Sequence, residues 1–179
     1  MVEADIAALL LTTEAELRYF SGFLTQFWQS PTRPWFLILP QAGKPVAVIP
    51  EIGAECMSRT WLDDIRTWRS PNPDDDGVSL VIEALGEAVG DGPCFGISMG
   101  AETHIRMPLL DFEKVTRILA LEIADATPIL RKLRMIKSEA EIEKIGHICS
   151  IVSDVFDAMP DWLRVGMPLN EVFRRFKID

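Results

Sequence analysis

The sequence has little histidine and little cysteine, and each shortage excludes a class of protein. Its two histidines, His104 and His147, are far apart, and neither has the spacing of a zinc site or an H-E-x-x-H motif. The three cysteines are odd in number, widely separated and set among apolar residues, which predicts reduced, buried thiols and a cytoplasmic location. A glycine-rich phosphate-binding loop is also missing, since Gly96 and Gly100 lack the required spacing.

Basic charge and long apolar runs are scarce as well. The chain has 18 Lys and Arg against 27 Asp and Glu, so its formal net charge is −9. An acidic surface repels phosphate backbones and anionic lipid, so neither nucleic acid nor a membrane is expected as a partner. The longest apolar runs, such as Ile6–Leu11, are far shorter than the roughly 20 residues of a membrane span. The acidic opening at residues 1–5 predicts no secretory signal peptide.

Apolar residues make up 48% of the chain, which is enough for a sizeable core. Up to about residue 126, short apolar runs typical of strands alternate with amphipathic segments typical of helices, which predicts an α/β fold. Thr13 and Glu16 have the capping-box spacing at the start of a first helix that Gly22 ends. Two strands flanking a turn, Trp35–Leu39 and Pro45–Ile49, predict a hairpin, so the sheet should be mixed.

The remaining elements follow from the same periodicities. Ile6–Leu11 is predicted as a first, buried strand. Further strands are predicted at Ile65–Trp68, Cys94–Ile97 and Leu121–Ala124, and helices at Ile52–Trp61, Gly77–Val89 and Pro108–Leu119.

After residue 126 the pattern contains helices only. A short helix at Pro128–Arg134 is followed by a long one from Ser138 to Trp162, whose apolar residues form one stripe, and by a last helix at Leu169–Phe176. Helices without a sheet of their own are typical of the beginning of another domain. We therefore predict an α/β domain over residues 1–126, a linker over 127–137, and the first helices of a truncated second domain over 138–179.

A candidate binding site lies in the aromatic loop between the first helix and the hairpin. Arg33 stands between Trp28 and Trp35, which predicts a planar guanidinium that binds a substrate carboxylate between aromatic walls. The alternative is that the tryptophans cover the sheet edge and the Arg33 stem extends over them. His104 is a further candidate substrate contact, because it follows a strand at the end where α/β sites often lie. The residues alone leave these alternatives open.

Three segments carry a resemblance to a known family. The segment from Asp125 to Ile142 resembles the interdomain junction of the creatinase, prolidase and aminopeptidase P family, which runs D-A-[ST]-x-x-L-x-x-L-R-x-I-K-S-x-x-E-I. Glu16–Phe23 is similar to that family's N-(I/V)-R-Y-(L/F)-(S/T)-G-F, and Gly166–Val172 is similar, more loosely, to its G-x-x-E-x-E-(V/L). One departure is Ser98, which stands where many relatives have Glu.

The resemblance implies an N-terminal domain with a ribonuclease H-like mixed sheet, followed by a pita-bread catalytic domain. In that family two divalent metals (Mn, Co, Zn or Fe) are held by Asp, His and Glu ligands beyond the helices that end here at Asp179, so no catalytic residue or metal ligand is expected in this segment. The resemblance also implies a homodimer, with a loop of this domain over the partner's active site. In creatinase-like members that loop supplies an arginine to the substrate carboxylate, a role that falls on Arg33 in its Ser30-Pro31-Thr32-Arg33 context.

The function implied by the resemblance is that of a non-catalytic N-terminal domain in a dinuclear-metal C–N hydrolase. The parent would be an Xaa-Pro peptidase or a creatinase-like amidohydrolase acting on a small peptide or a guanidino or amide substrate. Its own missing catalytic domain would be the first partner of this segment, which would serve dimerisation and shape the active site. The alternative is a stand-alone peptide- or protein-binding module that has the same fold without metal catalysis.

Overall fold

A computed structural model describes residues 1–29 and 33–178 of the chain, without the side chain of Gln29. Strands and helices alternate through most of this range. The strands are β1 (Ala8–Leu11), β2 (Phe36–Pro40), β3 (Val46–Pro50), β4 (Asp64–Trp68), β5 (Cys94–Ile97) and β6 (Glu122–Asp125). The helices are α1 (Glu14–Ser21), α2 (Ala54–Met57), α3 (Val78–Val89), α4 (Leu109–Leu119), α5 (Thr127–Met135), α6 (Glu139–Trp162) and α7 (Leu169–Ile178).

The six strands form one mixed sheet in the order β4-β3-β2-β1-β5-β6. Strand β2 is antiparallel to β1 and β3, whereas β3 pairs with β4, β1 with β5, and β5 with β6 in parallel. The predicted hairpin is β2–β3, in which Leu37 lies opposite Ala47. The predicted mixed α/β fold is thereby confirmed, and the carboxyl ends of β1, β5 and β6 meet at one edge of the sheet.

Both faces of the sheet are buried, which explains the continuous apolar run of β1. Leu9 and Leu11 point to a core shared with Leu17 of α1 and Leu130 of α5. The alternate residues of the strand point to the opposite core, which α3 and α4 cover with side chains that include Val81, Leu85 and Val115. The sheet therefore lies between two helical layers, as period-two alternation of side chains requires.

One predicted helix is much shorter than expected. Over Ile52–Trp61 the structure has a 3-10 turn at Glu51–Gly53 and the single turn of α2. Two hydroxyl groups explain the early end of this helix. Ser58 Oγ donates to the carbonyl of Glu55 at 2.8 Å, and Thr60 Oγ1 donates to that of Met57 at 2.7 Å. Such side-chain bonds compete with the next helical hydrogen bonds.

The chain divides into two compact units, Met1–Arg131 and Lys132–Asp179. The second unit contains α6 and α7, with the predicted capping box of Ser138 and Glu141 at the start of α6. The guanidinium carbon of Arg175 lies 4.9 Å from the ring centroid of Trp162. In contrast, the apolar stripe of α6 is exposed, with 59% of Ile142 and 58% of Ile148 accessible to solvent.

Within the described ranges, no helix combines the length and the apolar character needed to span a bilayer.

Candidate substrate-contact site

The two tryptophans of the predicted site lie in the hydrophobic core of the first unit. Trp35 is fully buried and Trp28 is 7% exposed, and their ring centroids are 5.6 Å apart. The ring of Phe23 packs 5.2 Å from that of Trp35. On its other side Trp35 approaches Gly53 so closely that a Cβ there would lie 2.3 Å from Cζ3. Packing thus fixes Trp35 on all sides. In the described part of the chain, neither indole N–H has a hydrogen-bond partner.

Two arginines lie against the aromatic residues of this loop. The half-buried Arg33 has its guanidinium carbon 5.9 Å from the ring centroid of Phe27. The guanidinium carbon of Arg106 lies 5.5 Å from the ring centroid of Trp28. Both distances are within the range of cation–π attraction. The sequence predicts Trp28 and Trp35 as the aromatic walls around Arg33, whereas in the structure Phe27 lies against Arg33 and Trp28 lies against Arg106.

Sequence reasoning missed Arg106. His104, its predicted contact residue, is exposed, and its side chain makes no hydrogen bond to another described residue. Arg106 instead donates to the carbonyls of Trp28 and Arg33, 78 and 73 residues away in sequence. No local pattern marks such a residue, and only its place after β5 was a usable signal. The tripeptide 30–32, which carries part of the resemblance around Arg33, lies outside the described residues.

A buried carboxylate connects the ends of β1 and β5. Glu16 is 8% exposed, and its Oε2 accepts hydrogen bonds from the backbone N–H groups of Thr12 and Thr13 at 3.2 and 3.1 Å and from Thr13 Oγ1 at 2.8 Å. Its other oxygen, Oε1, accepts from Ser98 Oγ at 2.8 Å. The predicted capping box is confirmed, because the backbone N–H of Glu16 donates to Thr13 Oγ1 in return. A carboxylate removed from water needs such partners.

The junction motif forms a clasp, which we define as the hydrogen bonds of Asp125 and Thr127 around the loop after β5. Thr127 Oγ1 accepts from the backbone N–H groups of Met99 and Gly100 at 2.9 and 2.8 Å. Asp125 Oδ1 accepts from the N–H groups of Met99 at 3.2 Å and Thr127 at 2.9 Å. Hydrogen bonds from Thr127 lower the pKa of Asp125. On the next turn of α5, the Arg131 guanidinium donates to the carbonyl of Ala101.

The described residues form no candidate metal site. Within 1–29 and 33–178, no group of three or more His, Cys, Asp or Glu side chains is placed to hold a metal ion. All three cysteines are free, but only Cys94 is buried, and burial raises the pKa of its thiol. Cys56 and Cys149 are exposed, which corrects the prediction of three buried thiols. The apolar neighbours of Cys149, among them Ile148 and Val152, lie on an exposed helix face, whereas Cys56 is exposed although the adjacent Met57 is buried.

The capping box and the clasp are formed by residues of the segments that resemble a known family. A family model described as "Creatinase/Prolidase N-terminal domain" matches residues 1–136. The chain belongs to this family. The match includes Glu16–Phe23 and the part of the junction that contains Asp125 and Thr127, so both hydrogen-bond arrangements lie within the family domain.

The curated relatives that this chain matches are longer than the chain itself. It is 26% identical over 175 residues to "Probable dipeptidase PepE" of Mycobacterium tuberculosis, covering 92% of this chain and 41% of that protein. It is 28% identical over 178 residues to "Agropine synthesis cyclase" of Rhizobium rhizogenes, covering 94% and 42%. The crystal structure of a recombinant prolidase from Thermococcus sibiricus has a TM-score of 0.77 at 18% identity, covering 99% of this chain and 45% of that one, and shows the shared fold. The chain thus spans less than half of the curated relatives it matches.

Proposed function

We propose that this chain is the non-catalytic N-terminal part of a dinuclear-metal C–N hydrolase, an Xaa-Pro peptidase or a creatinase-like amidohydrolase. In that protein it would take part in dimerisation and in shaping the active site. The substrate would be a small peptide or a guanidino or amide compound, and the location cytoplasmic. The observation that carries the proposal is the family match over residues 1–136 together with relatives whose length exceeds twice the matched region.

The metal pair expected in the parent (Mn, Co, Zn or Fe) has no ligand set within residues 1–29 and 33–178, so these residues do not fit that role. The structural feature that supports a missing catalytic partner is the stripe of α6, which leaves large apolar side chains in solvent, among them Ile145 at 50% and Phe156 at 55% exposure. Contiguous exposed apolar surface of this kind is typical of a surface that another protein segment covers.

Within the parent, we assign Arg33 to the substrate carboxylate. Arg33 is half-buried and its guanidinium lies on the Phe27 ring. This contact restrains the guanidinium, which supports its role as a fixed positive charge for the substrate carboxylate. Trp28 and Trp35 would then support this segment from the core, since both are buried. His104, exposed on the loop after β5, would be a secondary contact.

The first experiment extends the reading frame beyond the codon of Asp179. We expect some two hundred further residues containing Asp, Asp, His, Glu and Glu in order, the number expected for one more domain. The longer protein should hydrolyse Xaa-Pro dipeptides or creatine-like amidines in a way that a chelator abolishes, and the 179-residue chain should not. A stop codon, or a continuation without those ligands, would overturn the proposal and leave the stand-alone binding module, to be tested by peptide binding.

The second experiment addresses the carboxylate role of Arg33. Arg33→Ala in the longer protein should raise KM by about tenfold, as expected for the loss of one charge-assisted hydrogen bond. Arg59→Ala is the matched control, because the Arg59 side chain is exposed and, among the described residues, pairs with the exposed Glu55 of α2. Unchanged kinetics of the Arg33 variant on every active substrate would remove the carboxylate role.

A further inference from the structure

The backbone of Arg106 is anchored to the carboxyl end of the sheet. Its N–H donates to Thr12 Oγ1 at 3.0 Å, and Thr12 directly follows β1 and is 3% exposed. Thr12 is itself held by Glu16, whose Oε2 accepts from its N–H at 3.2 Å. Arg106 therefore starts from a rigid part of the fold, although it lies in the connection between β5 and α4.

From this base the guanidinium reaches two carbonyls of the aromatic loop. Nη2 donates to the carbonyl of Trp28 at 2.8 Å, and Nη1 donates to that of Arg33 at 3.1 Å. The same group lies 5.5 Å from the Trp28 ring centroid. Because the donors of a guanidinium are held in a rigid planar fork, two carbonyls bound by one arginine are fixed relative to each other.

The position of the Arg33 side chain depends on the backbone that Arg106 holds. Arg106 binds the Arg33 carbonyl, whereas the Arg33 guanidinium extends over Phe27. Burial lowers the pKa of Arg106, and the nearby Glu14 partly opposes this. An arginine in such surroundings stays protonated because its ordinary pKa lies far above neutral pH. The cost of holding a charge there is offset by its hydrogen bonds to the loop carbonyls.

We propose that Arg106 is the positioning residue for Arg33, holding the loop backbone so that the Arg33 guanidinium is presented to an anionic group of the substrate. This inference rests on the proposed function of Arg33. Arg106 itself acts through the loop and does not contact the substrate.

The first test measures the loop in the 179-residue chain. Peptides spanning Trp28 and Arg33 are followed by hydrogen–deuterium exchange in wild type, Arg106→Met, Arg106→Lys and the surface control Arg59→Met. Arg106→Met should speed exchange of these peptides at least about tenfold, since two hydrogen bonds to charge are lost. Arg106→Lys should lie between, because an ammonium cannot bind both carbonyls as a fork. Exchange no faster in a folded Arg106→Met than in Arg59→Met would overturn the proposal.

The second test uses the longer hydrolase and separates the two proposals. Arg106→Met should raise KM about as much as Arg33→Ala, about tenfold, with a smaller change in kcat. The double variant should be no worse than Arg33→Ala alone, because both changes remove one function. If the KM changes of the two single variants multiply in the double variant, Arg106 acts independently of Arg33 and the proposed role is overturned.

The two tests together separate the two proposals. If Arg106→Met speeds exchange of the loop but Arg33→Ala leaves the kinetics unchanged, the carboxylate role of Arg33 is refuted, and with it the recognition role of Arg106. The restraint of the loop by Arg106 would still be established. Should Arg106→Met fail to fold, Arg106→Lys carries both tests.

Discussion

Ser98 Oγ donates a 2.8 Å hydrogen bond to Oε1 of Glu16, a residue 82 positions earlier in the chain. The bond joins the end of β5 to the first turn of α1, next to the connection that carries Arg106. A second carboxylate at this point would face the Glu16 carboxylate, whereas the Ser98 hydroxyl can donate a hydrogen bond to it.

Ser98→Ala should lower the free energy of unfolding by about 1–2 kcal/mol, because the buried Glu16 loses one donor. Ser98→Glu should cost more at neutral pH, where two carboxylates would be forced together. Urea unfolding followed by fluorescence in a Trp162→Phe background reports the first unit, which contains all remaining tryptophans.

The control for this pair is Ser58→Ala, whose hydroxyl binds an exposed carbonyl and whose loss should change stability by less than about 0.5 kcal/mol. A Ser98→Glu variant as stable as wild type would show that the loop rearranges to separate the charges.

Asp125→Asn should remove a pH-dependent part of the stability of the first unit. The folded-state pKa of Asp125 is lowered by hydrogen bonds from Thr127, so the aspartate stabilises the fold above its unfolded pKa of about 3.9. This stabilisation is lost as the pH falls through the lower, folded-state pKa. Asparagine keeps an acceptor oxygen but not the charge. The difference in urea midpoint between the two proteins should therefore be largest near pH 7 and vanish in strong acid.

The exposed Asp91 offers a matched control, since Asp91→Asn should leave the midpoint close to wild type across the same range. A constant difference between wild type and Asp125→Asn at every pH would contradict the role of the charge.

Gly100→Ala should destabilise the first unit by about 1–3 kcal/mol through overpacking. A Cβ at Gly100 would lie 2.9 Å from Thr127 Cγ2, within the clasp. Thr127→Ser removes that methyl group while keeping the hydroxyl, so it should restore part of the stability. Gly86→Ala in α3 is the control, because its Cβ would meet Leu119 at an ordinary 3.4 Å and should be neutral or stabilising. Thermal unfolding of Gly100→Ala, of Gly100→Ala combined with Thr127→Ser, and of Gly86→Ala checks the prediction, and equal losses at both glycines would contradict it.

Ile148→Glu should reduce self-association of the 179-residue chain. Ile148 belongs to the exposed stripe of α6, and its 58% exposed side chain favours contact between copies when nothing else covers the helix. Sedimentation velocity over a concentration series should show association of wild type that weakens at least about fivefold in the variant. Ser150→Glu, at an exposed position on the opposite face of the same helix, should leave association unchanged. Association that is insensitive to both substitutions would place the contact elsewhere.

Local signals in the sequence predicted most of the secondary structure. The capping boxes at Thr13 and Ser138 lie where the structure has them, because such boxes depend on residues three positions apart. The helix over Ile52–Trp61 was overpredicted, since hydrophobic spacing does not report that Ser58 and Thr60 turn their hydroxyls back to the helix carbonyls. The local pattern therefore predicted where these helices begin more reliably than where the short helix α2 ends.

The candidate site was less predictable, because its geometry depends on contacts distant in sequence. Trp28 and Trp35 lie beside each other, and their burial depends on packing with Phe23 and with Gly53 after the hairpin. Arg106 reaches the loop across more than seventy residues, a distance at which spacing carries no information. It stays a prediction that the substrate contacts these residues, namely Arg33, Trp28, Trp35 and His104.

The clasp has a practical consequence for chimaeric proteins. A boundary at residue 126 separates Asp125 from Thr127 and would leave the N–H groups of Met99 and Gly100 to whatever residue a foreign domain brings to that place. Arg131, which holds the Ala101 carbonyl, would be exchanged with it. Anyone transplanting this unit onto another protein should therefore move the chain through Arg131 as one block, since the start of α5 is bonded to the loop after β5.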